Sequence, residues 1–300
     1  MALTRVAFVS LPPHRDSGFD HGDVHLASRR IFVAHTAEGT IDVIDGDSLV
    51  HAGTIPDCPE ASGVLCAQDE GLVFAAARGA GRVLVIDAAS LAVMTVLATG
   101  PRPNGLAWNG RSGTLLVADV EDFRARLLTA GSGECVGQVE LPGRPRWCVY
   151  DAAADRFLVN IRDPACVAVV AGAPPSLVDR WAVSTTGPHG LDLDVTGGRA
   201  FVATDGRAVS VLDLPTGREV ASVPIGGPPD AIWYNSVRRV LYVAVGRPGL
   251  VDVIDTVAMR RCEQVMTEEG AHTTAFDGQR QRLIVFLPRT CGAAIYEETL

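Results

Sequence analysis

The chain has 300 residues, 47% of them hydrophobic and 20% charged, and a formal net charge of −9. With no basic run, that acidic balance excludes nucleic acid and an anionic membrane as expected partners, and no window nears the ~18 uninterrupted apolar residues of a membrane span. Seven Cys, an odd number without a CxxC pair, point to reduced thiols rather than a disulfide framework, and the short N-terminal apolar run lacks a secretory core, so a cytoplasmic location is expected.

In chain order, RVAFVSLPP (5–13) comes first and reads as a strand with an exit loop. A phrase of the type RRIFVA then recurs, its apolar ends at Val33, Phe74, Val117, Val159, Val202, Val243 and Val285. Successive intervals are 41, 43, 42, 43, 41 and 42 residues. Segments are short, β-branched and punctuated by Gly, Pro and Asp, and helical periodicity is nearly absent. Seven units of this length predict an all-β fold, a seven-bladed β-propeller with four-stranded blades.

Within one unit, strand A is GLDLD, strand B AFVAT, strand C VSVLDL and strand D EVASVPI, joined by the turns VTGGR, DGRA and PTGR. The VID phrase ends strand C at Asp45, Asp87, Asp213 and Asp255, where a carboxylate accepts turn amides. Residues 293–297 (AAIYE) complete a last strand C with no strand D after it, whereas RVAFVSLPP matches EVASVPIGGPP. The N-terminal segment therefore closes the seventh blade. The expected blades are 20–57, 58–100, 101–143, 144–187, 188–227, 228–270, and 271–300 with 4–12, one domain over 1–300 that acts as a monomer.

These units resemble YVTN-type β-propeller repeats, best in RAFVATDGRAVSVLDLPTGREVASVPIGGPPD and RRVLYVAVGRPGLVDVIDTVAM. The literal YVTN tetrapeptide is missing; its slots read FVAH, FAAA, LVAD, LVNI, FVAT, YVAV and IVFL. The resemblance covers essentially the whole chain, and its motif residues are structural. It implies either a non-catalytic ligand-binding or interaction scaffold or, by likeness to propeller lactonases and a macrolactone-opening lyase, an axial metal site. The lactonase ligand set of Glu, Asn and Asp is not clearly reproduced, although Glu60, Asn104 and Asp230 would imitate it.

Thirteen residues before each anchor lies the start of strand A, facing the channel mouth on the side of the D–A and B–C loops. Those positions read Asp20, Ala61, Asn104, Arg146, His189, Asp230 and His272, with His21 and Glu60 as neighbours one residue away. Turn chemistry accounts for the Asp and Asn residues, but not for His189, His272 and Arg146. His189, Asp230, His272 and Asp20 (or His21) come from consecutive blades, and His35 ends strand B on the same face. Converging imidazoles and carboxylates suit one divalent ion, Zn, Mn, Fe, Mg or Ca, or a metal-free acid–base set in which Asp230 orients a His. A channel lining without chemistry stays open beside both. Arg146 and Asn104 would orient a substrate, and Arg78, Arg162, Arg247 and Arg289 on B–C loops point to an anionic small molecule.

The expected function is thus a lyase or hydrolase acting on an anionic substrate through His189, His272 and Asp230. The scaffold is the first alternative; a haem-type cofactor held by an axial His is the second. The loop LPPHRDSGFDHGD, carrying His14, reads as a lid. His25 and His51 read as structural or exposed, and Cys58 and Cys148 as packing residues.

Overall fold

The computed structural model describes residues 2–14 and 18–299. Its strands form seven separate four-stranded antiparallel sheets. In the fifth, strands A to D are Pro188–Asp194, Arg199–Thr204, Ala208–Asp213 and Glu219–Pro224, paired in that order. Each sheet is a blade. The A strands neighbour one another from blade to blade, and the seventh neighbours the first, so they ring a central channel.

Strand character follows position in the blade. Strands B are covered on both faces by adjacent blades, and residues 200–204 are all buried; such strands read as continuous apolar runs. Strands D form the outer edge and alternate, as in 219–224. The core lies between blades: Phe32, Phe74, Phe157, Phe201 and Phe286 are fully buried on strands B. One apolar cluster joins blades 1 and 2 through Phe32, Val43, Val73 and Leu84; another joins blades 5 and 6 through Phe201, Val211, Leu241 and Val243.

The ring closes through the first strand of the chain. Ala2–Ser10 pairs antiparallel with Gly292–Thr299, outside Arg282–Leu287 and Thr274–Asp277. All four VID aspartates accept turn amides: Asp45 from Ser48 (2.7 Å), Asp87 from Ser90 (2.6 Å), Asp213 from Thr216 (3.1 Å) and Asp255 from Val257 (2.9 Å). Hydrogen bonds from the turns, chiefly the Ser48 amide, the Ser90 hydroxyl and the Ala258 amide, hold the carboxyls of Asp45, Asp87 and Asp255 below their ordinary value. The aspartates are turn devices and take no part in a site.

Strand register corrects one anchor. Leu106 pairs with Val117 and Leu191 with Val202, but in blade 2 the equivalent pair is Val64 with Ala75. The blade 2 anchor is therefore Ala75, not Phe74, and its channel position is Ser62, not Ala61. The aromatic Phe74 imitates the apolar end of the neighbouring phrases, which hides the one-residue shift.

A candidate site at the channel mouth

Each channel position sits where strand A stops pairing. Pairing skips between Pro188 and Leu191, between Pro229 and Ile232, and between Pro145 and Cys148. The interruption leaves His189–Gly190, Asp230–Ala231 and Arg146–Trp147 out of the ladder, a bulge that re-aims side chains. Glycine after the channel residue lets blades approach closely. A Cβ on Gly190 would lie 2.3 Å from the Asp230 carbonyl oxygen, and one on Gly63 2.0 Å from that of Asn104. Gly190→Ala is accordingly expected to cost about 1–3 kcal/mol by overpacking, read as a lower melting temperature.

The upper mouth opens into a cavity of about 780 Å3. His189, Asp230 and His272 line it, with Asp20, Asp205, Arg247 and Arg289. An alternating chain of charge runs along its wall. Arg162 Nη2 is 2.7 Å from Asp205 Oδ2, and Asp205 Oδ1 is 3.4 Å from His189 Nδ1. His189 Nε2 is 3.2 Å from Asp230 Oδ1, and Asp230 Oδ2 is 3.6 Å from His272 Nε2. The His272 Nδ1 atom lies 2.7 Å from the Gly270 carbonyl oxygen. That oxygen only accepts, so Nδ1 carries the proton and Nε2 is the free nitrogen of the neutral ring.

Arg146, on the neighbouring blade 4, does not line this cavity, although Asp230 and Asp205 lie near enough to act on its charge. Burial pushes its guanidinium below the ordinary value, against the pull of Asp230 and Asp205. Its Nε is buried without a hydrogen-bond partner, as is Asp230 Oδ1, which His189 approaches off the hydrogen-bonding line. No ion pair engages Arg146 among the described residues. Next to it, Asn104 accepts from Arg78 Nη2 (2.7 Å), which also binds Asp20 (2.5 Å). Burial alone would raise the Asp20 carboxyl, yet His21, Arg78 and His272 together hold it well below the usual carboxylate range.

Other predicted residues stand elsewhere. His21 is buried, its Nδ1 2.6 Å from Asp20 Oδ1 but out of line for a hydrogen bond. Burial opposes charge on this ring, but Asp20 raises its pKa above the ordinary value. The ring stacks on Trp147 of blade 4 at 4.1 Å and 10°. A contact between blades 1 and 4 spans the channel, so His21 is half of a plug rather than a free ligand. His35 is fully buried, with Nδ1 2.7 Å from Asp42 and Nε2 2.7 Å from His14; neither nitrogen is left for a metal. Glu60 is exposed and paired with Arg102 at 2.8 Å, away from the cavity and from Asn104. Arg78 and Arg162 hold carboxylates of the wall, and Arg289 pairs with Glu269, leaving Arg247 on the rim.

Among the described residues, no group of three or more His, Cys, Asp or Glu side chains is arranged to hold a metal ion. His189, Asp230 and His272 converge, but as a linear chain with the carboxylate between two imidazoles. Cys58 and Cys148 are buried, and burial pushes the Cys58 thiol up to about 12 and the Cys148 thiol higher still; both are packing residues. In the loop expected as a lid, residues 15–17 lie outside the described residues. His14 lines the cavity and binds the Pro288 carbonyl oxygen at 2.7 Å. Trp147 is a residue that the sequence reading passed over, and Asp205, expected only as an ion-pair partner of loop arginines, pairs with Arg162 and also reaches His189. Asp205 sits in the turn DGRA, where Asp needs no other reason, and Trp147 follows a channel position rather than occupying one.

Fold and mouth together define a seven-bladed β-propeller with a polar, charge-alternating cavity at one end of its channel. No family model and no curated protein sequence matches the chain, so the YVTN-type resemblance remains a likeness of repeat phrases. Among solved structures, a hydrazine synthase of Kuenenia stuttgartiensis is similar with a TM-score of 0.86 at 12% identity, over 95% of this chain and 97% of that one. At that identity the likeness concerns the fold alone. Matching solved chains number 1732, so the architecture selects no function and the site must.

Proposed function

We propose that the upper mouth is the site of a small-molecule enzyme, a hydrolase or lyase that moves protons on an anionic substrate. The observation that carries this reading is the guanidinium of Arg146, which no carboxylate pairs among the described residues and whose Nε is buried without a partner, on the blade next to the His189–Asp230–His272 chain. Burying an unpaired cation opposes folding. A site that holds one for a ligand accounts for it; a channel lining does not.

The roles follow from the hydrogen-bond inventory. His272 Nε2 faces the cavity with its tautomer set by the Gly270 carbonyl, which makes it the base. His189 lies between Asp205 and Asp230, and we assign it as the proton donor. Asp230 lies beside His189 and balances the charge of the imidazolium that His272 becomes when it takes a proton. Arg146 takes the substrate anion, and Arg247 at the rim meets it first. A divalent ion would have to part Asp230 from both imidazoles, so the acid–base form of the reading needs less rearrangement than the metal-assisted form.

A panel of small carboxylated esters and lactones, assayed with purified protein of measured metal content, tests the reading. Expected is turnover that survives chelation, falls about 10²–10⁴-fold in Asp230→Asn, and shows a raised KM with little change in kcat in Arg146→Met. Turnover that tracks a stoichiometric metal ion would replace the acid–base form by the metal-assisted one. Turnover unchanged in both variants would remove this site from the chemistry altogether.

A further inference from the structure

The opposite end of the channel holds a second cavity of about 610 Å3, among the A–B ends of the inner strands. Its walls are aromatic: Trp108, Trp147, Tyr150 and Trp233. Those include three of the chain's four Trp; Trp181 lies outside, under the Arg156 guanidinium at 4.8 Å. Four carboxylates, Asp23, Asp69, Glu70 and Asp192, line it against a single cation, Arg111. The upper mouth alternates carboxylates with arginines and histidines, whereas this cavity is mainly acidic, and the Trp147–His21 stack lies between the two.

Part of this has a structural use. Asp23 accepts from the Cys66 amide at 2.7 Å and Asp192 from the Tyr234 amide at 2.6 Å, each tying its blade to the next. Such ties explain why two blades carry a buried Asp. They leave unexplained the aromatic wall, the acidic rim of Asp69 and Glu70, and the buried Trp108 Nε1, which has no hydrogen-bond partner. The two buried carboxylates also repel each other, so Asp192 adds to the burial that raises Asp23.

We propose that the lower cavity binds a small organic cation, a quaternary or protonated amine, between the faces of its Trp and Tyr rings and the carboxylates around them. Aromatic faces attract cations through their quadrupole, most strongly when the site is desolvated. The rim carboxylates Asp69 and Glu70 supply the counter-charge that an apolar pocket would lack, and a bound cation favours the ionised forms of Asp23 and Asp192. A volume of this size suits a small molecule rather than a protein segment.

Choline and its neutral isostere 3,3-dimethylbutan-1-ol, titrated into the full chain by calorimetry and Trp emission, decide the matter. Choline should bind with a change in Trp emission, and the isostere at least about tenfold more weakly. Trp108→Leu and the exposed Glu70→Gln should each weaken choline by several-fold to about tenfold, with circular dichroism unchanged. Equal binding of the isostere would reduce the cavity to an apolar hollow. Choline binding that ignores both substitutions, or no binding at millimolar concentration, would overturn the proposal.

Discussion

Deleting residues 2–12 should leave a chain that no longer melts as one cooperative unit. The segment Ala2–Ser10 supplies the outer strand of blade 7 through pairs from Ala2 with Thr299 to Ser10 with Gly292. It buries Leu3, Val9 and Leu11 to 8%, 3% and 6% exposure. At roughly 1.5–3 kcal/mol per buried large apolar side chain, those three contribute on the order of 5–9 kcal/mol. That is comparable with the whole net stability of a typical folded protein, about 5–15 kcal/mol. Deletion also exposes the edge of Gly292–Thr299, a template for aggregation. Thermal unfolding by circular dichroism, with light scattering, checks this; a deletion variant that melts like the parent would contradict closure by the N-terminal strand.

Stability should fall as pH rises from about 4 to 8. Burial pushes the Asp23 carboxyl up to about 7 and that of Asp192 up to about 6, from 3.8. In each case burial outweighs two backbone N–H bonds that favour the carboxylate. A carboxyl whose folded pKa is raised binds more protons folded than unfolded. Its contribution is therefore complete below pH 3.8 and is lost as pH rises through the folded value. At 1.36 kcal/mol per unit, the loss is roughly 4 kcal/mol from Asp23, its repulsion by Asp192 included, and roughly 3 from Asp192. His21, raised by Asp20, acts in the same sense: its contribution is present below pH 6.5 and lost above its folded value. Asp20, held low, acts oppositely but only below the usual carboxylate range. Melting temperatures across pH 4–9 should drop most between 4 and 7 and then level off. A flat or rising profile would show that these carboxyls are ionised in the fold.

The ring was legible because the interval of thirteen residues between channel position and anchor recurs, with a two-residue bulge at that position in five of the blades. It delivered Arg146, His189, Asp230 and His272 to the channel mouth. The same logic failed where a side chain leaves the period-2 frame. The bulges leave two residues unpaired, so Trp147 and His21, each one past a channel position, also turn inward and meet across the axis. His35 ends strand B level with the cavity, but its ring turns between strands towards Asp42. The arginines were placed on the correct face, yet sequence spacing could not say that Arg78 and Arg162 are occupied by Asp20 and Asp205 while Arg146 is not. Partner choice depends on rotamers a few ångströms apart, which no repeat interval encodes. The lower cavity escaped notice because Trp108, Trp147, Tyr150 and Trp233 lie within strands A, where aromatic residues read as ordinary strand formers.

Arg146 stands unpaired beside the upper mouth, available to an anion. Hydrogen bonds to charged groups contribute about 1.5–3 kcal/mol, so losing this one should weaken a bound anion by roughly 10–100-fold. Melting temperatures of the parent and Arg146→Met, measured against inorganic phosphate, sulfate and a series of small mono- and dicarboxylates, test it directly. The parent should gain several degrees with at least one of these anions, while Arg146→Met should melt no lower than the parent without ligand and gain nothing with it. An Arg146→Met protein that is markedly destabilised without ligand, or that gains as much from the same anion as the parent does, would contradict the account.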